Sequence, residues 1–197
     1  MISKIANRFV GLLEKNKTIS TDELEIYNYG FFILISHVVY FVICLILGII
    51  FKCAIESVAF LTSFQFIRKY AGGYHAKTET RCEILSAASI AICIMFIKLA
   101  NLYDLRIVLL LFSLVSVVVI LVLSPLESPV KPLSKQEHMR YRTISWIILL
   151  IISALIIVSY IFEWKYLFAP CCISLILEGI LLISGKVKYH FDKAYST

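Results

Sequence analysis

The sequence predicts an all-α integral membrane protein: six transmembrane helices, an N-terminal amphipathic interfacial helix, and both termini in the cytoplasm. Three observations carry that expectation. Hydrophobic residues make up 60% of the 197 positions and the mean hydropathy is +0.90, whereas a soluble domain is about 45–50% apolar. The charged residues, 16% of the chain, gather between long apolar runs. Lysine and arginine, 19 in all, divide very unevenly between alternate connections.

The elements follow in order. Residues 1–29 form an N-terminal segment that does not read as a cleaved leader. Lys4, Arg8, Glu14, Lys15, Lys17, Asp22, Glu23 and Glu25 break any apolar core there, and no small-residue cleavage site follows one. Within it, ISKIANRFVGLL (2–13) sets Ile2, Ile5, Ala6, Phe9, Val10, Leu12 and Leu13 at helical spacing around Lys4 and Arg8. That is an amphipathic helix, lying in the membrane interface or packed on the protein's own spans. Ser20 and Glu23 have capping-box spacing and predict a fresh helix leading into the first span.

Spans are expected at about 31–51, 84–100, 107–123, 144–162 and 166–184. Their 17 to 21 residues cover roughly 26–32 Å as helices, close to the hydrocarbon thickness. A sixth run, AIESVAFLTSFQFI (54–67), is shorter and holds Glu56 and Gln65. Charge decides its reading. If 54–67 crosses, Lys4, Arg8, Lys15, Lys17, Arg68, Lys69, Lys77, Arg81, Lys131, Lys135, Arg140, Arg142, Lys186, Lys188 and Lys193 share one side. The other side keeps Lys52, Arg106, Lys165 and, near a span end, Lys98. Such a bias is the positive-inside pattern, and it largely cancels if 54–67 does not cross.

The connection 124–143 carries Pro125, Pro129 and Pro132, which predicts an extended and stiff segment. Residues 1–197 read as a single membrane domain without an internal repeat. The net charge of +6 has no basic cluster interleaved with aromatics, so an anionic bilayer surface, not nucleic acid, is the expected partner.

Chemistry concentrates in the connection 68–83, between the second and third spans. Cys44, Cys53, Cys93, Cys171 and Cys172 fall in or beside apolar runs, where cysteine behaves as a small hydrophobe and disulfides are not expected. Cys82 stands apart, in a polar stretch with His75. Gly72–Gly73 marks a turn with positive φ or close backbone approach. Thr80 and Glu83 again have capping-box spacing, which would make Cys82 the second helical residue, where the dipole, free N–H groups and Arg81 favour a thiolate.

His75 could then serve as base or as imidazolium partner. In one continuous helix the two residues would lie about 10 Å apart along the axis, beyond hydrogen-bond reach. A working pair therefore requires the chain to fold back between them. From spacing alone, a histidine and a cysteine in a basic loop are also compatible with no chemistry at all. A metal site of His75, Glu79 and Cys82 lacks a second ligand pair, so no metal or other cofactor is expected.

The stretch RKYAGGYHAKTETRC, the later SPLESPVKPLS with its following basic run, and the order of spans resemble the accessory gene regulator B (AgrB) family over nearly the whole chain. The resemblance implies a membrane cysteine endopeptidase that processes an AgrD-like quorum-sensing propeptide in a Gram-positive type bacterium. It implies Cys82 as nucleophile and His75 as its base, on the cytoplasmic side, with Arg68 and Gly73 at motif positions important for activity. The tail of the propeptide would leave as a thioester forms on Cys82. A cysteine or serine of the signal segment would then close a thiolactone or lactone.

Further candidates are Gln65 as a substrate or oxyanion contact, Gly72 beside Gly73, and Glu178, an ionisable residue inside the last span. Glu178 is otherwise a carboxyl protonated or paired within the bundle. His37, in the first span, faces the site or bonds a neighbour. Lys131, Lys135, Arg140 and Arg142 are topology determinants that would also attract an acidic propeptide tail. A homodimer is a further partner compatible with so small a chain. The rival functions are a small peptide transporter or exporter without covalent chemistry, and a non-enzymatic scaffold. A transporter should show paired halves or broken helices, and the sequence offers neither.

Overall fold

The computed structural model describes residues 2–16, 19–74, 76, 78–127 and 133–194. Its regular elements are helices: α1 (Ile2–Lys15), a 3-10 turn (Thr21–Glu23), α2 (Leu24–Ile50), α3 (Ala54–Ala71), α4 (Glu79–Leu102), α5 (Arg106–Leu123), α6 (Lys135–Ile161) and α7 (Lys165–Ala194). Two compact units divide the chain, Met1–Ile43 and Cys44–Thr197.

In the first unit, the apolar face of α1 splits. Ile2, Ala6 and Val10, one residue per turn, are buried, whereas Ile5, Phe9 and Leu12 stay exposed. Phe9 stacks on Phe31 of α2 with ring centroids 6.1 Å apart. The Ser20–Glu23 pair forms as expected at one of its two bonds: the Ser20 N–H donates to the Glu23 carboxylate at 3.0 Å, and the Ser20 hydroxyl donates to it at 2.8 Å. Those bonds hold the Glu23 carboxyl below its ordinary range. The cap explains why α2 begins at Leu24, seven residues before the expected span.

The second unit is organised by a recurring turn. Connections of three residues join α2 to α3, α4 to α5 and α6 to α7. Each has a left-handed middle residue, Lys52 (φ 56), Asp104 (φ 50) or Glu163 (φ 56). The following N–H reaches back five residues, from Cys53 to Gly48 O (2.7 Å), Leu105 to Ala100 O (3.1 Å) and Trp164 to Ser159 O (2.9 Å). These are Schellman-type ends built without glycine. No repeat was expected, yet FKC, YDL and FEW share one pattern of aromatic, charged and apolar residue.

α7 is the central helix. It packs on α3, α5 and α6, and less on α4. Its apolar stretch is 61% buried, against 17–28% for the other four long apolar helices, so α7 faces protein where they face outward. The core joins Ile67 and Ala71 of α3, Ile120 of α5, Leu149, Ile152 and Ile156 of α6, and Phe168, Cys172, Leu175 and Leu182 of α7.

Among the described residues five helices, α2, α4, α5, α6 and α7, are long and apolar enough to cross a bilayer. α3 is as long as α5, at 18 residues, but carries Glu56, Arg68 and Lys69. Two connections differ from expectation. The extended segment predicted for 124–143 is helical from Lys135, because Ser134 caps α6 in a complete capping box with Glu137. Pro129, Lys131 and Pro132 lie outside the described residues. α7 continues to Ala194, past the span expected to end at 184.

Candidate active site

The site begins where α3 stops. After Ala71 the chain enters Gly72 (φ 80) and Gly73 (φ 128), conformations that side chains resist. Space excludes them as well: a Cβ on Gly72 would collide with the Leu126 carbonyl oxygen, and one on Gly73 with the Arg68 guanidinium. Both expected glycines therefore sit where only glycine fits.

Arg68, in the last turn of α3, clamps this reversal from its own side. Its Nη1 donates to Gly72 O and its Nη2 to Tyr74 O at 2.5 Å. Charge-assisted bonds of this kind are roughly twice as strong as neutral ones. From one flank the start of the proline-bearing segment SPLESPVKPLS closes in: Leu126 N–H donates to Ala71 O at 2.8 Å, and Gly72 and Leu126 form an isolated parallel bridge.

α7 supplies the other flank. Tyr74 N–H donates to Leu181 O at 3.0 Å, the Tyr189 hydroxyl to Gly73 O at 3.2 Å, and Lys188 Nζ stands 4.9 Å from the centre of the Tyr74 ring. Gly185 leaves room for the loop, since a Cβ there would lie 2.9 Å from Gly73 C and Tyr74 N. Sequence reasoning missed Leu126, Leu181, Gly185, Lys188 and Tyr189. Only Gly185 left a signal, as a glycine inside a helical run.

His75 lies outside the described residues. Cys82 opens the next helix, with one correction. The N-cap of α4 is Thr78, not Thr80: Thr78 is extended (φ −132, ψ 147) and its hydroxyl accepts from Arg81 N–H at 3.4 Å. Cys82 is thus the fourth helical residue, and its N–H already donates to Thr78 O at 3.1 Å. The thiol remains within the first turn, where the dipole acts, but without the free N–H groups expected there. Its exposure separates it from the rest: Cys44, Cys53, Cys93, Cys171 and Cys172 are buried, and Cys82 is half-buried.

Gln65 is half-buried on α3, three positions before Arg68, with no hydrogen bond to residues 72–74 among the described residues. Glu178 of α7 is fully buried and lies 3.9 Å from Arg68 Nη1. Arg68 and Glu178 both stand out in the sequence, but more than a hundred positions separate them and nothing in the sequence links them. His37 is exposed, its Nδ1 2.8 Å from Ile33 O of its own helix. Among the described residues no three metal-ligating side chains come together.

With helices as its regular elements and five of bilayer length among the described residues, the chain belongs to the class of multi-pass membrane proteins, and its half-exposed thiol and glycine-turned loop mark the candidate site. More narrowly, the model of the accessory gene regulator B family matches residues 6–183, and the chain belongs to that family. It is 32% identical over 97 residues to "Putative AgrB-like protein 2" of Clostridium perfringens (strain 13 / Type A). It is 29% identical over 97 residues to "Putative AgrB-like protein" of Clostridium perfringens (strain SM101 / Type A). Each match covers 49% of this chain and 45% of the relative, so the chain spans about half the length of the curated relatives it matches. No solved structure matches it.

Proposed function

We propose that this protein is a membrane cysteine endopeptidase of quorum sensing, which cuts the C-terminal tail from an AgrD-like propeptide and cyclises the signal segment. The observation that carries the reading is the solitary half-exposed thiol of Cys82 at the start of α4, directly after the clamped glycine reversal, in a chain of the AgrB family. A helix continuing through 72–78 would hold residues 75 and 82 apart. The break in the helix at Gly72–Gly73 removes that obstacle to a His75–Cys82 pair.

In this mechanism the Cys82 thiolate attacks the carbonyl at the junction of signal and tail. The C–N bond breaks, the carbon–sulfur bond forms, and His75 passes the thiol proton to the leaving amine. A cysteine or serine of the signal segment then attacks the thioester, releasing Cys82 and closing a thiolactone or lactone. The second step exchanges one thioester for another and needs no added energy when the attacker is cysteine. The first is uphill, so removal of tail or product draws it forward. Water must be kept from the acyl-enzyme, which a site at the mouth of a helix bundle favours.

The topology belongs to the same proposal: six crossings including α3, both termini cytoplasmic, and residues 1–197 acting as one membrane domain. The three-residue hairpin turns support it, because each reverses the chain and so sends the C-terminal ends of α3 and α5 to the same end of the bundle. Fifteen of the 19 lysines and arginines then fall on that side, the cytoplasmic one.

The test is mass spectrometry of an AgrD-like propeptide incubated with the protein in liposomes. The native chain should release the tail and a signal segment one water lighter than its linear form, and Cys82→Ala should do neither. Equal cutting by both would remove Cys82 as nucleophile. Transport of an uncut peptide by both would favour the exporter.

A further inference from the structure

The reading above leaves one buried charge without a task. Glu178 is fully buried in α7, and neither carboxylate oxygen has a hydrogen-bond partner among the described residues. The ion pair it makes is with Arg68, at 3.9 Å from Nη1. A buried carboxylate is tolerated when paired, and removing one partner of such a pair is strongly unfavourable. What distinguishes this pair is where its other half points.

Arg68 is the clamp of the reversal, holding the carbonyls of Gly72 and Tyr74. Glu178 also belongs to a stripe on α7 that meets the same loop. Leu181, one turn on, accepts the Tyr74 N–H; Gly185, two turns on, admits the backbone of Gly73 and Tyr74; Lys188 and Tyr189, three turns on, reach the Tyr74 ring and Gly73 O. Offsets of 3, 7, 10 and 11 residues lie on one helix face. The stripe touches the loop through backbone and ring contacts along its length, and Glu178 anchors its buried end through the guanidinium.

Resting on the proposed cysteine chemistry, we infer that Glu178 is a positioning residue for it: its carboxylate fixes Arg68, and Arg68 fixes the 72–74 reversal that precedes Cys82 and the start of α4. Glu178 does not touch substrate. Its loss loosens the loop and leaves propeptide binding in place.

The experiment uses the full chain in nanodiscs with a synthetic AgrD-like propeptide that the native chain processes. Native protein, Glu178→Gln, Glu178→Asp and Cys82→Ala are compared by kcat, KM and amide exchange at Tyr74. The expected result for Glu178→Gln is a kcat lowered at least about tenfold, KM within about twofold, and Tyr74 exchange raised at least about tenfold. Glu178→Asp should recover part of both losses. Native kcat or native Tyr74 exchange in a helical Glu178→Gln overturns the inference, as does a fall expressed only in KM.

If Glu178→Gln is not helical, Glu178→Asp carries the test. Its carboxylate, drawn back by one methylene, must move to keep Arg68, and native kcat and exchange there overturn the inference. Processing by Cys82→Ala equal to native would refute the cysteine chemistry instead. The exchange measurement needs no propeptide, so the coupling of Glu178 to the loop is decided in either case.

Discussion

Gly185→Ala isolates the contact between loop and α7 without touching any group assigned a chemical role. A Cβ there would stand 2.9 Å from Gly73 C and Tyr74 N and 2.7 Å from Leu126 Cδ2. The leucine methyl can rotate aside. The loop backbone cannot, because the Tyr74 N–H is bonded to Leu181 O and its carbonyl to Arg68. Ordinary contact starts at 3.4 Å, so the loop must retreat by about 0.5 Å. A misplacement of about 1 Å costs on the order of a hundredfold in rate, so half of it should lower kcat about tenfold, or about 1.4 kcal/mol. Stability should respond differently. Alanine favours a helix interior over glycine by about 0.5–1 kcal/mol, which offsets much of the roughly 1–3 kcal/mol cost of overpacking. The assay is the time course of tail release in liposomes beside thermal unfolding. Gly30→Ala, whose Cβ would meet nothing within 4 Å, is the control and should keep native turnover. A folded Gly185→Ala with kcat within about twofold of native would refute the argument that α7 fixes the loop.

Three further outcomes follow from the same geometry. Thr78→Ala should cost about 1 kcal/mol of local stability and speed exchange of the amides at 81–83, whereas Thr80→Ala should change both little; equal responses would contradict the assignment of the cap. The Arg106 guanidinium, 2.7 Å from Asp104 Oδ1, holds the Asp104 carboxyl below its ordinary range, so this pair supports its turn above the unfolded pKa of about 3.9 and loses that support as pH falls through the lowered folded value. Protection of the Leu105 amide should therefore drop at acid pH in the native chain, and that acid dependence should vanish in Arg106→Ala. Replacing Lys131, Lys135, Arg140 and Arg142 by glutamine should raise KM for an acidic-tailed propeptide at low salt and much less at about 0.5 M, where screening acts over a few ångströms; unchanged kinetics would remove the basic run from substrate attraction.

Much of this architecture was legible because bilayer-scale apolar runs leave few alternatives. The α1 stripe, the Ser20–Glu23 pair and the glycine pair could be read from residue type and spacing, since helical periodicity, a bond over three positions and a positive φ are properties of the local chain. Thr80 reads as the cap because Glu83 completes a capping box with it, whereas the chain satisfies its first turn from Thr78 without an acidic partner. Lys52, Asp104 and Glu163 escaped notice because left-handed helix ends are sought at glycine and asparagine. The extent of α7 was hidden for another reason. GKVKYHFDKA is too polar for a span, and what makes it part of the site is a loop more than a hundred residues earlier.

That separation has a consequence for biosynthesis. Tyr189 and Gly73 are 116 positions apart, with Leu181 and Gly185 close to the later partner. A ribosome adding about 5–20 residues per second makes Cys82 several seconds before the residues that hold its loop. For that interval the nascent chain carries the thiol and Arg68 without the α7 contacts that hold the loop. On the proposed chemistry, the protein stays silent until its last helix has entered the bundle, so an incomplete chain stranded in the membrane would hold the nucleophile and yet spare the propeptide.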